Sequence, residues 1–360
     1  MVDKNVRLDS TVAGDPVYRR SIRREDQRWV HLYGYAENRS PVVSQDPEDL
    51  PRGAELRWHP LRQEWNIYAA HRQNRTFKPS AANNPLAPSL PGRPVTEIPV
   101  ENFELAVFDN RFTSLHFEAS AVTDVADVKL RPAKGQCEVV VYGTEADGDL
   151  NTIGQARRRL LLAAWIDRYQ ALFDAGCEFV LPFENRGEDV GVTLHHPHGQ
   201  IYGFDHLPPA QARAEQAFAG GYSLTDALAQ LDPRLVVEEA DALVSYCPPY
   251  ARFPYETWIA SRVPRPGPWA MSESELDAFA SLLGDMTRRY DQFFGQTTPY
   301  MLALHAAPRD REHFEFSAQF YPLLRGPGRL KYLASVEQHT GVFTVDVLPE
   351  SAAQVLRSAV

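Results

Sequence analysis

The chain has 360 residues, 44% of them hydrophobic and 11% aromatic, which describes a folded globular protein and excludes a disordered one. Its 37 lysines and arginines stand against 47 acidic residues, a formal charge of −10, so no global attraction for nucleic acid or anionic membrane is expected. The three isolated cysteines, Cys137, Cys177 and Cys247, form no CxxC pair, and no stretch is long and apolar enough to span a bilayer; neither a disulfide framework nor a membrane protein is indicated. The first twenty residues carry no apolar leader core, and a cytoplasmic location is the expectation.

Residues 1–50 are charged and poor in apolar clusters, and read as an arm or a small strand extension. The alternation in 55–75 predicts a hairpin with Pro60 near its turn, and the proline- and asparagine-rich 78–94 predicts a loop. Runs at 103–112 and 137–143 have strand length and composition. A long helix is expected over 151–176, stopped by Gly176, then a strand at 178–185 and a glycine-punctuated loop leading to HHPHGQIYGF (195–204). The same order returns: strands at 242–247 and 256–263, a helix at 272–295, strands at 299–308 and 314–324. Both helices carry an Arg-Tyr pair near their ends, Arg168-Tyr169 and Arg289-Tyr290. His198 follows the first tyrosine, and Gln319 the second, at one and the same spacing. The chain therefore reads as an internal duplication: an arm (1–50), a first half (51–210) and a second half (211–360) that holds Ser317 and Gln319 where the first has histidines.

Chemistry concentrates in FENRGEDVGVTLHHPHGQIY (183–202), where His195, His196 and His198 fall within four positions. If this segment is a strand, His196, His198 and Gln200 share one face and His195 and Gly199 the other. A neutral imidazole is a competent nucleophile toward phosphorus provided one ring nitrogen is protonated and fixed, and the His196 carbonyl is placed to accept that bond. Gln200 can donate to a phosphoryl oxygen without titrating, and the turn from Gly187 to Thr193 can offer backbone N–H groups. Three histidines beside two glycines and a glutamine are not ordinary core polar groups. Metal binding by His196 and His198 has only Asp189 as a nearby carboxylate. Gly187 and Gly191, taken singly, are also explained as turn residues alone.

These motifs resemble the galactose-1-phosphate uridylyltransferase family, a nucleotidyltransferase branch of the histidine-triad superfamily. The resemblance lies in FENRG…GVTLHHPHGQI (183–201) and FYPLLRGPGRLKYLASVE (320–337), and runs on through WHPLRQEWNIYAAHRQNR, VFDNRF and RFPYETWIASR. It implies an α+β fold of two fused histidine-triad-like halves, each an antiparallel sheet with packed helices. It also implies that His198 becomes uridylylated, that His196 orients it through its carbonyl, and that Gln200 contacts the transferred phosphoryl group. Arg72 and Arg75 match a basic pair next to phosphate, and Asn110 and Phe112 a uridine pocket. Asn185, Gly191, Val192 and Thr193 match the loop around the phosphates, with Thr193 in place of the usual serine. Lys331 and Glu337, with Tyr332 beside the lysine, match residues that hold the sugar phosphate and sugar hydroxyls.

The chain departs from the family at its metal sites. The stretch aligned with a zinc CxxC is NNPLAP (83–88), and YGTEADGD (142–149) lacks the next zinc histidine. Of a second, iron-type set only His305 survives, with Ala214, Ser317 and Gln319 at the other positions. No metal and no other cofactor are expected. Histidine-triad hydrolases carry a third histidine where Gln200 stands, so transfer is expected over hydrolysis. The expected substrates are UDP-glucose and galactose 1-phosphate, with no nucleic acid or membrane partner, in a homodimer whose sites borrow residues from both chains. The alternatives are a related ADP-sugar phosphorylase or adenylyltransferase using the same histidine, and a non-catalytic nucleotide-sugar binder.

Overall fold

The structure, a computed structural model, describes residues 3–12, 14–44, 48, 50, 53–74, 83–120 and 123–359. The N-terminal segment forms three strands, β1 (Asp3–Val12), β2 (Asp15–Arg23) and β3 (Trp29–Gly34). A hairpin follows, β4 (Glu55–His59) and β5 (Glu64–Tyr68), turning at Pro60 with Trp58 opposite Trp65. The hairpin ends earlier than its sequence pattern suggests, because a short 3-10 turn over Ala70–Asn74 takes the chain away from the ladder. Next come β6 (Leu105–Asp109), β7 (Leu130–Pro132) and β8 (Gly135–Val141), then α1 (Gly154–Asp174), β9 (Phe179–Arg186) and β10 (His198–Phe204). The second half holds α2 (Pro209–Ala219), α3 (Leu224–Ala229), β11 (Val236–Ala240), β12 (Leu243–Tyr246), β13 (Thr257–Ser261), α4 (Glu273–Phe294), β14 (Tyr300–His305) and β15 (Ser317–Pro322). A small hairpin, β16 (Leu324–Gly326) and β17 (Arg329–Leu330), and helices α5 (Ser335–Thr340) and α6 (Pro349–Ser358) complete the chain.

Among the described residues twelve strands form one antiparallel sheet in the order β1-β2-β3-β6-β8-β10-β9-β14-β15-β13-β12-β11. From β3 to β11 this order is a palindrome about the β9–β14 pair: β6 answers β12, β8 answers β13, and β10 answers β15. The fold is thus α+β, two halves of matching strand order sharing a continuous sheet. Both central helices pack on one face, where Leu160, Trp165 and Tyr169 of α1 and Phe279, Leu283 and Tyr290 of α4 are buried. Helix α4 starts at a capping box, Ser272 with Glu275, and stops at Gly295 in the left-handed region, φ 66°.

The repeated Arg-Tyr pairs are buried in both halves. Arg168 donates two hydrogen bonds to Glu138 on β8, at 2.6 and 3.0 Å, and Arg289 pairs with Glu238 on β11 at 2.9 Å. Side chains alternate across the sheet, and the alternation decides where the site lies. Val140 and Ile201 face the helices, whereas Val139 and Val141 face the opposite side, under Leu86, Ile98 and Phe103 of the 83–103 loop. His198 stands opposite Val141 and Gln200 opposite Val139, so both look away from the helices and toward that loop. No helix among the described residues is long and apolar enough to cross a membrane.

Candidate active site

The loop between β9 and β10 is shaped by two glycines in left-handed conformations, Gly187 (φ 95°) and Gly191 (φ 82°), flanking a short 3-10 turn over Glu188–Val190. At Gly187 a Cβ would also meet Pro299 at 3.0 Å, so that position is closed to side chains on both counts. The chain then runs through Thr193 and His196 into β10, which opens on His198.

His196 is not on the strand, which corrects the expectation that it shares a face with His198 and Gln200. Pro197 has no N–H to give to a ladder, and strand pairing starts after it. The His196 ring is instead buried, 2% exposed, with Nδ1 2.9 Å from Asn84 Nδ2 and Nε2 2.8 Å from the Gly143 carbonyl. Its backbone does what the sequence suggests: His198 Nδ1 lies 2.8 Å from the His196 carbonyl oxygen. A carbonyl only accepts, so Nδ1 carries the proton and Nε2 is left with a free lone pair. Burial lowers the His198 pKa below 6.5, with the bond to the His196 carbonyl working against it, so the neutral ring prevails at pH 7.

His198 and Gln200 line a pocket of about 450 Å³ with Arg72, Asn110, Phe112 and Thr193. Phe108, Val139 and Leu86 give it an apolar floor and wall, and Glu97 and Arg111 a charged rim. Asn110 accepts the Phe112 N–H at 2.9 Å, which sets the turn that presents both residues. Arg72 donates to the Phe112 carbonyl at 2.6 Å and reaches the Tyr202 hydroxyl at 3.5 Å. A smaller cavity of about 60 Å³ on the other side of His198 is lined by Asn185, Val192 and His196, with exposed His195 at its edge. Gly191 lies on the exposed turn, where a Cβ would meet no atom within 4 Å. The chain thus brings a neutral, oriented imidazole, an amide, a guanidinium and a hydroxyl to one apolar-walled cleft, a set suited to nucleophilic attack on a phosphate diester or anhydride.

Known proteins point the same way. Residues 44–208 match the family model described as Galactose-1-phosphate uridyl transferase, N-terminal domain. The galactose-1-phosphate uridylyltransferase of Thermotoga maritima is 34% identical over 316 residues, covering 84% of this chain and 98% of that one. That of Streptomyces lividans is 30% identical over 359 residues, covering 94% and 96%. The chain belongs to the galactose-1-phosphate uridylyltransferase family. It is therefore a member of a family of nucleotidyltransferase enzymes. A solved uridylyltransferase structure superposes with a TM-score of 0.76 at 24% identity, over 85% of this chain and 98% of that one. An ADP-glucose phosphorylase from Arabidopsis thaliana with bound ADP-glucose superposes at 0.63 with 20% identity, over 85% and 99%. These two likenesses speak to fold alone.

Not every residue matched to the uridylyltransferase family reaches the pocket. Arg75 lies outside the described residues. Lys331, Tyr332 and Glu337 line neither cavity. Lys331 instead donates to Glu337 at 3.0 Å and to the Thr344 carbonyl at 2.7 Å, and its ammonium holds the Glu337 carboxyl down to about 2. Tyr332 is 73% exposed. No three His, Cys, Asp or Glu side chains converge among the described residues. Both ring nitrogens of His196 are already hydrogen-bonded, and His305 Nδ1 lies 3.3 Å from the Gln211 amide. Ser317 and Gln319 are bonded to each other at 3.0 Å.

The sequence pattern gives little sign of the residues that reach the His196–Gln200 segment from afar. Asn84 touches His196 across 112 positions. The Tyr142 hydroxyl, which donates to buried Glu184 at 2.5 Å, sits behind Gly199. Only FENR, where Glu184 adjoins Asn185, carries a trace of the second.

Proposed function

We propose that this chain is a galactose-1-phosphate uridylyltransferase, moving UMP from UDP-glucose to galactose 1-phosphate in two displacements at His198. In the first, the Nε2 lone pair attacks the α-phosphorus of UDP-glucose. An N–P bond forms, the P–O bond to the sugar phosphate breaks, and glucose 1-phosphate leaves with the bonding pair. The His198 Nδ1 proton stays hydrogen-bonded to the His196 carbonyl throughout. In the second, a phosphate oxygen of galactose 1-phosphate displaces His198 and restores the neutral imidazole. Bonds of one kind are exchanged in both steps, so no acid or base is consumed. Arg72 offsets phosphate charge, and the Gln200 amide donates to the phosphoryl oxygen as charge builds there.

The observation that carries this reading is the bond between His198 Nδ1 and the His196 carbonyl, which fixes the nucleophilic tautomer facing the pocket. Family membership supports the choice of substrates. The position of Lys331, Tyr332 and Glu337 outside the pocket supports a homodimer in which a second copy supplies the sugar-phosphate contacts. The hydrogen bonds on both ring nitrogens of His196 support a metal-free enzyme; elemental analysis should find less than one zinc or iron per chain, and a stoichiometric metal would overturn that part.

Mass spectrometry after incubation with UDP-glucose, UDP-galactose or ADP-glucose tests the reading. One uridylyl group on the peptide containing His198, absent in His198→Asn and discharged by galactose 1-phosphate, is expected. Labelling by ADP-glucose alone would assign the adenylyl relative, and no labelling of wild-type protein would sink the covalent mechanism.

A further inference from the structure

Asn84 lies in the loop that roofs the pocket, and its amide orientation is set without reference to the histidine. Its Oδ1 accepts the backbone N–H of Leu86 at 3.0 Å, and a backbone N–H can only donate. The Nδ2 group is therefore the end that faces His196 Nδ1, at 2.9 Å, and it can only donate. On the far edge of the ring the Gly143 carbonyl, 2.8 Å from Nε2, can only accept. These two partners leave one arrangement: proton on Nε2, lone pair on Nδ1, ring neutral. Burial lowers the His196 pKa, opposed by the Gly143 bond and by the nearby carboxylates of Glu145 and Asp147, in keeping with a neutral ring.

We propose that Asn84 is a positioning residue for the nucleophile, locking the His196 ring in one tautomer so that the His196 carbonyl is held against His198 Nδ1. The proposal rests on the reading of His198 as nucleophile. The mechanical chain is short. The ring is gripped at both edges, by Asn84 and by Gly143; one residue on, Pro197 restricts the backbone. The carbonyl between them is the atom that fixes the His198 tautomer. Nothing in the His-Pro-His motif itself provides this grip, because neither ring partner of His196 belongs to it. If Asn84 is removed, Nδ1 loses its donor, the ring can turn over, and the carbonyl moves with it.

Two variants and one spectrum test this. Nitrogen-15 NMR of histidine-labelled wild-type protein should show His196 with a bare Nδ1 and a protonated Nε2. Asn84→Ala should slow uridylylation of His198 by UDP-glucose on the order of 100-fold, as expected for a misplaced reacting group, while UDP-glucose binding stays within about threefold. Asn84→Asp keeps the bond to Leu86 but offers His196 a carboxylate oxygen. Both His196 nitrogens should then be protonated, the ring should stay in place, and labelling should return to within about tenfold of wild type. A wild-type His196 protonated on Nδ1 overturns the proposal, whether or not the variants fold. So does Asn84→Ala labelling at the wild-type rate, or Asn84→Asp as slow as Asn84→Ala. The tautomer readout needs no turnover, so a wild-type protein that fails to label indicts the transfer reaction and leaves the role of Asn84 to be decided by the spectrum.

Discussion

Gly199 separates His198 from Gln200, and the structure says why a side chain is excluded there. A Cβ at this position would lie 2.7 Å from the Tyr142 hydroxyl oxygen and 2.9 Å from the Phe183 carbonyl oxygen. Neither neighbour can yield cheaply. The Phe183 carbonyl belongs to the backbone of the adjacent strand β9, and the Tyr142 hydroxyl is engaged by buried Glu184 at 2.5 Å. Overpacking of this kind costs about 1–3 kcal/mol. Displacing the hydroxyl from its carboxyl adds about 1 kcal/mol. With an unfolding entropy near 2 cal/mol/K per residue, Gly199→Ala should lower Tm by roughly 3–5 °C and slow His198 labelling. Calorimetry reads the first effect and mass spectrometry the second. Gly191→Ala is the control. It meets open space, carries only the left-handed backbone penalty of about 1 kcal/mol, and should shift Tm by roughly 1 °C. Tyr142→Phe removes the clashing oxygen and leaves the ring carbon Cζ at 3.6 Å, an ordinary contact. The double variant Gly199→Ala/Tyr142→Phe should therefore be less destabilised than the two single losses combined. Strict additivity, or a Gly199→Ala protein with unchanged Tm, refutes the steric account.

Gln200→His restores a titratable group beside His198 in the pocket, and should reduce transfer to galactose 1-phosphate while speeding UMP release from the labelled enzyme; unchanged transfer with unchanged UMP release would show that the position 200 side chain does not meet the phosphorus. Because burial lowers the His198 pKa below 6.5, the nucleophile stays neutral at a pH where a free histidine is already charged. Single-turnover labelling should hold its rate as pH falls through 6.5 and lose it only below; a midpoint above 6.5 contradicts the buried, neutral tautomer.

The elements with strong local punctuation are readable from sequence. Helix α4 has its Ser272 cap and Gly295 stop, α1 is followed by Gly176, and the β9–β10 motif carries its own glycines and prolines. The duplication is readable too, because the Arg-Tyr pairs recur for a structural reason: each arginine meets a buried or half-buried carboxylate on the sheet. Strand β2 is not, since it buries or half-buries arginines that look like surface charge. Arg20 is buried against Asp3, and Arg19 meets Asp167 of α1 at 2.7 Å, 148 positions away. Helix α6 escapes notice for a related reason: its short apolar face, Ala352, Ala353 and Leu356, makes sense only against α4 and the Arg289 side chain that bonds its last carbonyls. In the site, the histidine spacing picks out His198 and its carbonyl partner but puts His196 on the strand, because alternation is carried through Pro197, which has no N–H to give to the ladder. Asn84 leaves no local signal at all; its role is a contact between distant segments.

The second half, which has no histidine at the opening of β15, still bears on the chemistry of the first. Polar groups there bond among themselves, Gln319 with Ser317 and, at 2.5 Å, with Tyr321, and His305 Nδ1 with the Gln211 amide at 3.3 Å. Across the seam between halves, however, β14 pairs with β9, and Glu184 of β9 stands opposite Leu302 of β14. The Glu184 carboxyl, whose pKa burial raises against the two hydroxyls that favour its charge, accepts from Tyr142 of the first half and from Tyr300 of the second, the latter at 2.7 Å. Tyr300 is in turn anchored by Thr287 of α4 at 3.3 Å. A chain of buried contacts therefore runs from α4 through Tyr300, Glu184 and Tyr142 to the back of Gly199, one residue from His198. The second half thus serves as a buttress: its Tyr300 holds the carboxylate that holds the tyrosine against which β10, and with it His198 and Gln200, is pressed.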